Sequence, residues 1–508
     1  MSGRLPCLGQ FYICPKLETD MFSNLLELGI SSKHIFGSYA ILTDGRTPIQ
    51  TAQSSGASVL VLGYAVNVHT GSADNLAEEL IADVNTPEEL IEREKKLGGK
   101  YIILFRFQHN YSCISDATSS IPLFYTFQNG EMYCASNYKI LADRFQLTPD
   151  KGLQKIRDCS DISQAMPYDI TIYGEIRQLL PNHMLSLTEN KILRFVNISN
   201  SSDTLTSEMA AEQTLPYIMN LAKYYASITK INCPITSGRD SRVVLAAILS
   251  ATDVCNCYTI RHSNFSEEEQ DITVPKGIAK NLKLNYKQIC DEVVPHNIEA
   301  QFDKLLGKGQ YSARTLMIAY TVYVNSEEAA VVNGDIIGQI GKCSLHRDIP
   351  TRYATPSYFR CKLHNYSHES KKFLEAWLEE IHETNEAVNP FDLFSIENRL
   401  GRWAAQENQI YNAIGQLYIN IFNSRSIIYP WTCTDRIARK NSEIHRHLIR
   451  ALNIKLLDIP FQSEKSVLVR LSKTSGKSFL IAGYIKHYIS GVKFFLRKYT
   501  SRARESYE

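Results

Sequence analysis

A run of small polar residues separates two apolar stretches near the middle of the chain. Thr236, Ser237, Gly238 and Ser241 lie between a predicted strand and a predicted helix. Their small size would let backbone N–H groups converge on an anion at the helix N-terminus, where the helix dipole favours negative charge. Asp240 would repel a phosphate there unless Mg²⁺ lay between them, so the pattern predicts a nucleotide site with Asp240 as metal ligand. An ordinary helix capped by Ser and Asp has the same local pattern.

A second glycine-containing loop follows a predicted strand at residues 329–332. Asn333, Gly334 and Gly338 could donate backbone N–H groups to pyrophosphate, with the polar side chain of Asp335 beside them. The alternative is a glycine-rich turn that only ends the strand. The two loops can serve one ligand only if the fold brings them together, so the order of the elements matters.

The order of predicted elements changes near residue 200. Before it the chain is rich in short strands, and Asn129-Gly130 predicts a tight hairpin. The strand candidates are 57–68, 100–108, 111–115, 123–127, 131–135, 170–176, 184–187 and 192–196. The Ser/Asn-rich stretch 197–204 is the candidate domain boundary.

After that boundary the predicted helices alternate with strands, which indicates βαβ units and a parallel sheet. The helices are expected at 207–227, from 241 onward and at 266–282, and the strands at 231–235, 254–260, 286–289 and 329–332. Pro275 predicts a kink or interruption in the third of these helices. From Pro356 onward the chain is predicted to be mostly helical.

Composition and charge exclude several classes of protein. The 508 residues carry 55 Lys and Arg against 53 Asp and Glu, which predicts no nucleic-acid partner. Apolar runs reach only strand length, far short of the ~20 residues of a spanning helix, and the first residues contain no apolar signal core. The twelve cysteines are scattered without a C-x-x-C pair. We therefore expect reduced thiols, no zinc site and a cytoplasmic protein.

The loop Thr236–Ser241 resembles the S-G-G-x-D-S loop, or PP-loop, of the ATP-pyrophosphatase superfamily, the adenylate-forming enzymes that include asparagine synthetase. Thr236 departs from that pattern but keeps a hydroxyl, and Ser237 adds a side chain where backbone should approach pyrophosphate. Other segments resemble asparagine synthetases in chain order, namely 97–104, 116–125, 133–136, 176–183, 271–279, 331–341 and, loosely, 425–435. The resemblance covers most of the chain and includes a degenerate class II glutamine amidotransferase-like N-terminal part.

This resemblance implies an α/β protein in two parts. Residues 1–200 would form an α+β, N-terminal-nucleophile-like sheet domain similar to the family's glutaminase domain. Residues 205–508 would form a parallel-sheet, adenine nucleotide hydrolase-like synthetase domain with a helical C-terminal portion. The implied reaction activates a carboxylate of a small molecule, sugar acid or peptide as an acyl-adenylate, using ATP and Mg²⁺. Ammonia or an amine then takes the acyl group, with release of AMP and pyrophosphate.

The resemblance also assigns expected roles to residues. The nucleotide contacts are expected at Thr236, Ser237, Gly238, Ser241, Ile260, Gly334, Asp335 and Gly338. Asp240 and Lys465 are the expected catalytic residues, because family members place a lysine in a comparable late loop to stabilise the adenylate and the attacked intermediate. A solvated surface lysine is the alternative for Lys465. Gln339 stands near the position where relatives carry an acid, which argues against metal binding there.

The glutaminase half is expected to lack its nucleophile. Family members use Cys at position 2, with its own α-amine as base, whereas this chain has Ser2. The first cysteine, Cys7, follows Pro6 and would need an unusual cleavage to be exposed. The family's glutamine-holding loop maps to Leu62–Asn67, and Leu62 cannot supply the missing amide. These residues argue against glutamine hydrolysis, although a true glutamine-hydrolysing asparagine synthetase remains one interpretation. A catalytically inactive relative that binds nucleotide or a partner is another.

The end of the chain predicts an amphipathic helix with basic residues beside an apolar stripe. The stripe comprises Ile481, Tyr484, Ile485, Tyr488, Ile489, Val492, Phe495, Leu496 and Tyr499. Residues 461–508 carry a net charge of +7, against +2 for the whole chain. We expect this helix to pack on the domain by its apolar stripe. Contact with an anionic membrane surface or an acidic partner is the alternative.

Overall fold

The computed structural model describes residues 5–16, 25–26, 28–54, 56–160, 166–195, 205–308, 310–384, 389–459, 461 and 476–505. It is a mixed α/β structure with two antiparallel sheets, one parallel sheet and a helical C-terminal part. Ser2, Lys465 and the expected boundary at 197–204 lie outside the described residues.

The N-terminal part contains twelve strands in two sheets of six. The strands are β1 Phe11–Pro15, β2 Ser32–Phe36, β3 Tyr39–Thr43, β4 Ile49–Gln53, β5 Ala57–Asn67, β6 Leu97–Phe107, β7 Asn110–Ser115, β8 Leu123–Gln128, β9 Glu131–Ala135, β10 Arg177–Leu179, β11 His183–Ser186 and β12 Lys191–Arg194. The first sheet has the order β10-β8-β9-β1-β3-β2 and the second β12-β11-β7-β6-β5-β4, with antiparallel pairing throughout.

Within the described residues, four short helices accompany these sheets. They are α1 Leu76–Ile81, α2 Pro87–Glu94, α3 Tyr138–Arg144 and α4 Lys151–Asp158. One apolar cluster lies between the two sheets, a second joins α1 and α2 to β5 and β6, and a third joins α3 to the first sheet. The result is a stack of helices, sheet, sheet and helices, which buries both faces of each sheet.

The local sequence explains where these strands begin and end. Asn129 and Gly130, with φ angles of 53° and 82°, form the expected two-residue turn between β8 and β9. The expected strand at 170–176 is wrong. That segment is a series of turns, because the Thr171 hydroxyl is hydrogen-bonded to the carbonyls of Tyr173 and Ile176 at 3.0 and 2.9 Å.

The second part of the chain forms a five-stranded parallel sheet surrounded by helices. Its strands are β13 Ile231–Pro234, β14 Asn256–Arg261, β15 Asn285–Cys290, β16 Ala330–Val332 and β17 Tyr418–Ile419. Helices α5 Ser207–Ile228, α6 Asp240–Ala251, α7 Gln270–Leu282, α8 His296–Leu306 and α9 Ala313–Asn325 alternate with them. Pro275 does not interrupt α7, which runs continuously past it.

The C-terminal portion is helical, as its sequence predicts. Its α-helices are α10 Pro356–Lys362, α11 Lys371–Thr384, α12 Pro390–Phe394, α13 Ala405–Ala413, α14 Arg425–Thr432, α15 Arg436–Lys440, α16 Glu443–Asn453 and α17 Gly476–Glu505. Two π-helical segments occur at Ile337–Gly341 and Ser395–Ala404, and 3₁₀ turns at Thr351–Tyr353, His368–Ser370 and Ile454–Leu457. None of the described helices is both long and apolar enough to cross a membrane.

Buried polar groups join the two parts of the chain. Arg425 at the start of α14 pairs with Glu94 at the end of α2, and both side chains are almost completely buried. The Tyr101 hydroxyl donates to Glu94 Oε1 at 2.6 Å. Beside this pair, the side-chain amide of Asn423 donates to Asp116 Oδ1 at 2.9 Å. These contacts fix the parallel sheet and its helices against the second antiparallel sheet.

We expect Arg425→Met to destabilise the protein by about 3–5 kcal/mol, because it leaves the Glu94 carboxylate buried without its counter-charge. The double variant Glu94→Gln/Arg425→Met removes both charges and should recover much of that loss. Urea unfolding followed by circular dichroism measures the difference. Lys230→Met is the control, since it breaks an exposed ion pair with Glu327 and should change little. Equal losses in the single and double variants would contradict the argument.

Candidate functional site

The two glycine-containing loops lie side by side at the carboxyl edge of the parallel sheet. The strand order is β15-β14-β13-β16-β17, so the chain builds outward on one side of β13 and then returns to its other side at β16. A crevice opens at such a reversal, because the connections from the two central strands leave in opposite directions. The loop after β13 carries Thr236–Ser241, and the loop after β16 carries Asn333–Gly338.

The first loop is held in shape by short side chains. The hydroxyls of Thr236 and Ser241 lie 2.9 Å apart, and Gly238 N–H donates to Thr236 Oγ1 at 3.2 Å. Ser237 points inward, where its hydroxyl and its N–H both bond to the Asp271 carboxylate. The side chain of Ser237 therefore turns away from the crevice and does not fill it.

Helix α6 begins at Asp240 without a side-chain cap at its N-terminus. The simpler interpretation of the sequence, a helix capped by its own Ser or Asp, is therefore wrong for the described structure. An uncapped N-terminus leaves backbone donors and the positive end of the helix dipole directed towards the crevice.

Asp240 connects the two loops to helix α16. Its Oδ1 lies 2.8 Å from Nε2 of the fully buried His445. Its Oδ2 faces Gly338, where a Cβ atom would come within 3.0 Å of it. Burial acts to raise the pKa of Asp240, but the hydrogen bond and charge of His445, with Lys342 and Arg239 nearby, bring that pKa below its usual value. Asp240 is therefore an anion at neutral pH.

The second loop differs in one respect from its expected role. Gly338 N–H donates to Gly334 O at 3.0 Å and is used within the π-helical turn, so it is not available to a phosphate. Gly338 instead provides the space in which the Asp240 carboxylate lies. The Asn333 side chain accepts from Asp335 N–H at 3.2 Å and from the Asn420 amide at 2.6 Å, which fixes the start of the loop.

Asp335 belongs to a group of charges that sequence reasoning did not find. Burial raises the pKa of Asp335 to about 6; Arg399 opposes the shift and the charge of Asp240 adds to it. Burial and the charge of Asp335 raise the pKa of Glu407 well above its usual value. Burial lowers the pKa of Arg399 to about 10. Arg399 lies in the second π-helical segment and Glu407 in α13, so no local motif could connect them to the loop.

The carboxylates of Asp240 and Asp335 fit a nucleotide-bound Mg²⁺. Asp335 Oδ2 is shielded from solvent and accepts no hydrogen bond from the described residues. Within that same part of the chain no three His, Cys, Asp or Glu side chains form a complete metal site. Mg²⁺ at nucleotides takes one or two carboxylates, and phosphates and waters supply its other ligands. The pair therefore matches that donor set and not a self-sufficient cation site.

A basic cleft of about 500 Å³ opens beside the first loop. Ser237 and Gly238 form part of its wall. Five cationic side chains line it against a single acid, Glu443; they are Arg239, Lys342, Arg347, Lys440 and Arg446. Among the described residues neither Lys342 nor Arg446 has a salt-bridge partner. Cations gathered in this way repel one another unless an anion binds between them, so the cleft is suited to a polyanionic ligand.

The sequence contained only part of this cleft. Arg239 lies inside the recognised loop, but Lys342, Arg347, Lys440 and Arg446 come from segments about 100 residues apart. Only the position of Lys342, directly after the first π-helical segment and so next to the second loop, could have suggested it.

Of the other expected site residues, one packs away from helix α6 and one lies outside the described residues. Ile260 lies on β14 opposite Ile289 and packs with the apolar cluster around Phe302. Helix α6 packs in a different cluster, so the Ile260 contact with nucleotide remains a prediction. Lys465 falls outside the described residues, and its role also remains a prediction.

The expected glutaminase residues are buried. Cys7 N–H donates to Ala413 O at 3.1 Å, and its backbone adopts a left-handed conformation with φ of 51°. The following Gly9 N–H donates to Asp44 Oδ2 at 2.6 Å. Leu62 lies within β5 and is part of the core between the two sheets, so 62–67 is a paired strand and not a loop.

Comparison with known proteins gives little similarity. No protein-family model matches the chain, and no curated protein does. Among solved structures, a glutamine phosphoribosylpyrophosphate (PRPP) amidotransferase from B. subtilis, complexed with ADP and GMP, is 14% identical; the match covers 64% of this chain and 69% of that chain. A structure described as the allosteric regulatory enzyme of purine biosynthesis is 12% identical, covering 77% of this chain and 89% of that one. Both TM-scores are 0.24, too low to support an argument about fold or activity.

We expect Asp335→Asn to raise the free energy of unfolding at pH 8 by ~1–3 kcal/mol. The folded pKa, about 6, lies above the unfolded value of 3.8, so the folded state binds the extra proton between these pH values. Stability contributed by protonated Asp335 is therefore complete below pH 3.8 and lost as the pH rises through 6. Urea unfolding at pH 8 and pH 4.5 tests this, with a smaller gain expected at pH 4.5. The exposed Glu328→Gln is the control, and a loss of stability in Asp335→Asn at pH 8 would refute the expectation.

Proposed function

We propose that this protein is an ATP-dependent, amide-forming ligase of the asparagine synthetase type. It activates a carboxylate as an acyl-adenylate and transfers the acyl group to ammonia or an amine. In the first step a carboxylate oxygen attacks the α-phosphorus of ATP, and the bond from that phosphorus to the bridging oxygen breaks as pyrophosphate leaves. In the second step the amine nitrogen attacks the acyl carbon, AMP leaves, and the nitrogen releases a proton.

The observation that carries this proposal is the contact between the two loops. Asp240 lies against Gly334 and Gly338 on one side, while the basic cleft begins at Ser237 and Gly238 on the other. A ligand with several phosphates and one bound cation suits both sides of the junction: the cation would meet the carboxylate of Asp240, and the phosphates would meet the basic cleft. The resemblance of Thr236–Ser241 to the pyrophosphate loop of this superfamily supports the same ligand.

Each group then has a chemical task. The uncapped N-terminus of α6 binds the departing pyrophosphate, and the small residues Ser237 and Gly238 leave room for it beside the helix. Lys342 and Arg446 neutralise its developing charge, which stabilises the transition state. Asp240 and Asp335 would hold Mg²⁺, which would offset phosphate charge and orient the α-phosphate. Lys465 is expected to stabilise the adenylate.

A catalytically inactive relative that binds nucleotide or a partner protein is the second candidate. The observation that favours it is the Asp240–His445 bond, which already gives the carboxylate a partner. Gln339, at the position where relatives carry an acid, agrees with it. A glutamine-hydrolysing asparagine synthetase is the least supported alternative, because Cys7 is buried and its N–H is bonded.

We expect Asp240→Asn to lower Mg²⁺-dependent ATP–pyrophosphate exchange by on the order of a thousandfold. The metal would lose a carboxylate ligand, and the pyrophosphate would be oriented less well as a result. Asn keeps the size of the side chain and can still bond to His445, so the melting temperature should hold. The exchange is measured across a panel of small-molecule, sugar-acid and peptide carboxylates. Unchanged exchange in the variant would refute the role of Asp240. ATP binding without exchange on any carboxylate would favour the inactive relative.

We expect Arg446→Gln to weaken Mg–ATP binding by on the order of tenfold, because it removes a cleft cation that has no salt-bridge partner among the described residues. Isothermal titration calorimetry measures the dissociation constant. Arg450→Gln is the matched control, since Arg450 lies one turn later on α16 and does not line the cleft. Equal affinities in wild type and Arg446→Gln would show that the nucleotide does not occupy the cleft.

We expect glutamate release from glutamine to stay at the background rate, in wild type and in Cys7→Ala alike. The Cys7 thiol is buried and its N–H donates to Ala413 O, so the group cannot present a nucleophile with a free amine. A coupled glutamate dehydrogenase assay measures the rate. An ATP-independent rate in wild type that disappears in Cys7→Ala would contradict this prediction.

A further inference from the structure

Helix α17 leaves most of its apolar stripe exposed. The expectation that this stripe packs on the domain is wrong, because its side chains from Ile481 to Leu496 are all among the exposed large apolar residues of the chain. Tyr488 is 73% exposed, and Ile481 and Leu496 are 60% exposed. Apolar side chains arranged in a continuous row on a surface indicate an interaction site.

Three faces of the helix can be distinguished at 100° per residue. A narrow buried edge contains Leu480, Gly491 and the neighbouring side of His487. Beside it lies the apolar arc, about 120° wide, formed by Ile481, Ile485, Tyr488, Ile489, Val492, Phe495 and Leu496. The basic arc follows on the far side of the apolar arc and contains Lys486 and Lys493, both exposed.

The buried edge anchors the helix to the protein. The Tyr366 ring packs against His487 in a tilted arrangement with ring centroids 4.9 Å apart, and it also contacts Phe494 with centroids 5.1 Å apart. At the other end Phe479 lies between Lys362 and Arg347, at 4.3 and 4.7 Å from its ring centre. Because Arg347 also lines the basic cleft, α17 begins close to the cleft and extends away from it.

We propose that the apolar and basic arcs of α17 bind the surface of an anionic lipid bilayer. The apolar arc spans about 23 Å of helix, and its large side chains would enter the boundary between headgroups and acyl chains. Lys486 and Lys493 beside it would contact anionic headgroups, whose attraction adds to the apolar contribution. Because the exposed apolar side chains occupy one arc and not the whole circumference, the helix would lie in the plane of the surface.

The charge of α17 favours lipid over a second copy of the chain. Its 30 residues contain seven Lys and Arg and one Glu. Two such helices packed through their apolar arcs would bring their basic arcs together, and like charges would oppose the contact. An anionic bilayer would interact favourably with both arcs, because its acyl chains accept the apolar arc and its headgroups attract the basic arc.

Vesicle sedimentation with the full-length protein tests the proposal. Wild type should sediment with vesicles of phosphatidylcholine and phosphatidylglycerol at 70:30, bind vesicles of phosphatidylcholine alone on the order of tenfold more weakly, and dissociate as NaCl is raised. Ile485→Gln/Ile489→Gln and Lys486→Gln/Lys493→Gln should each weaken binding by on the order of tenfold. Because all four side chains are exposed, the melting temperatures should match wild type.

Val293→Gln is the control variant, since Val293 is 88% exposed but lies far from α17 in the sequence, and it should bind like wild type. No binding of wild type to the anionic vesicles would overturn the proposal. So would a dimer, detected by analytical ultracentrifugation, that Ile485→Gln/Ile489→Gln dissociates, because it would assign the apolar arc to a second copy. Binding that the lysine variant leaves unchanged would also overturn it. None of these results depends on ATP, so they leave the proposed ligase activity as a separate question.

Discussion

The position of β16 beside β13 is the constraint on which the candidate site depends. Two loops that are almost 100 residues apart in sequence share one edge of the sheet only because the chain returns to the centre after β15. The same return places Gly338 against Asp240, so the carboxylate has room to lie between the loops. Helix α16 then contributes His445 and Arg446 to opposite sides of this junction. A different strand order would separate all of these groups.

Charge is divided across the junction. Asp240, Asp335 and Glu407 lie on one side, where burial and mutual repulsion raise the pKa values of Asp335 and Glu407. The five cations of the cleft lie on the other side, and among the described residues Lys342 and Arg446 have no salt-bridge partner. Each side alone is electrostatically costly in the free protein, and a ligand that brings both a cation and several phosphates relieves both costs. A site of this kind gives up folding stability in exchange for affinity.

Local sequence predicted the parts of the structure that local physics determines. The small residues at Thr236–Ser241, the hairpin at Asn129-Gly130 and the alternation of strands and helices after residue 205 all follow from backbone preferences. Sequence did not predict the cleft, because Lys342, Lys440 and Arg446 meet only through tertiary contacts. It predicted α17 from its periodicity but placed the apolar stripe in the core, since periodicity says which residues share a face and not what covers that face. Gly338 was expected to donate its N–H group to a phosphate. It instead provides space for the Asp240 carboxylate, because the π-helical turn uses that N–H group.

The buried pair of Glu94 and Arg425 affects how the protein can be made. The two residues are 331 positions apart, and at roughly 5–20 residues per second a ribosome needs about 20–60 s to synthesise the chain between them. During that interval the antiparallel sheets have emerged, but the carboxylate of Glu94 has no counter-charge. The N-terminal part therefore cannot complete its packing until α14 has been synthesised. Docking of the second part of the chain against the surface around Glu94 is therefore a late event of synthesis, and that surface stays uncovered on the nascent first half until then.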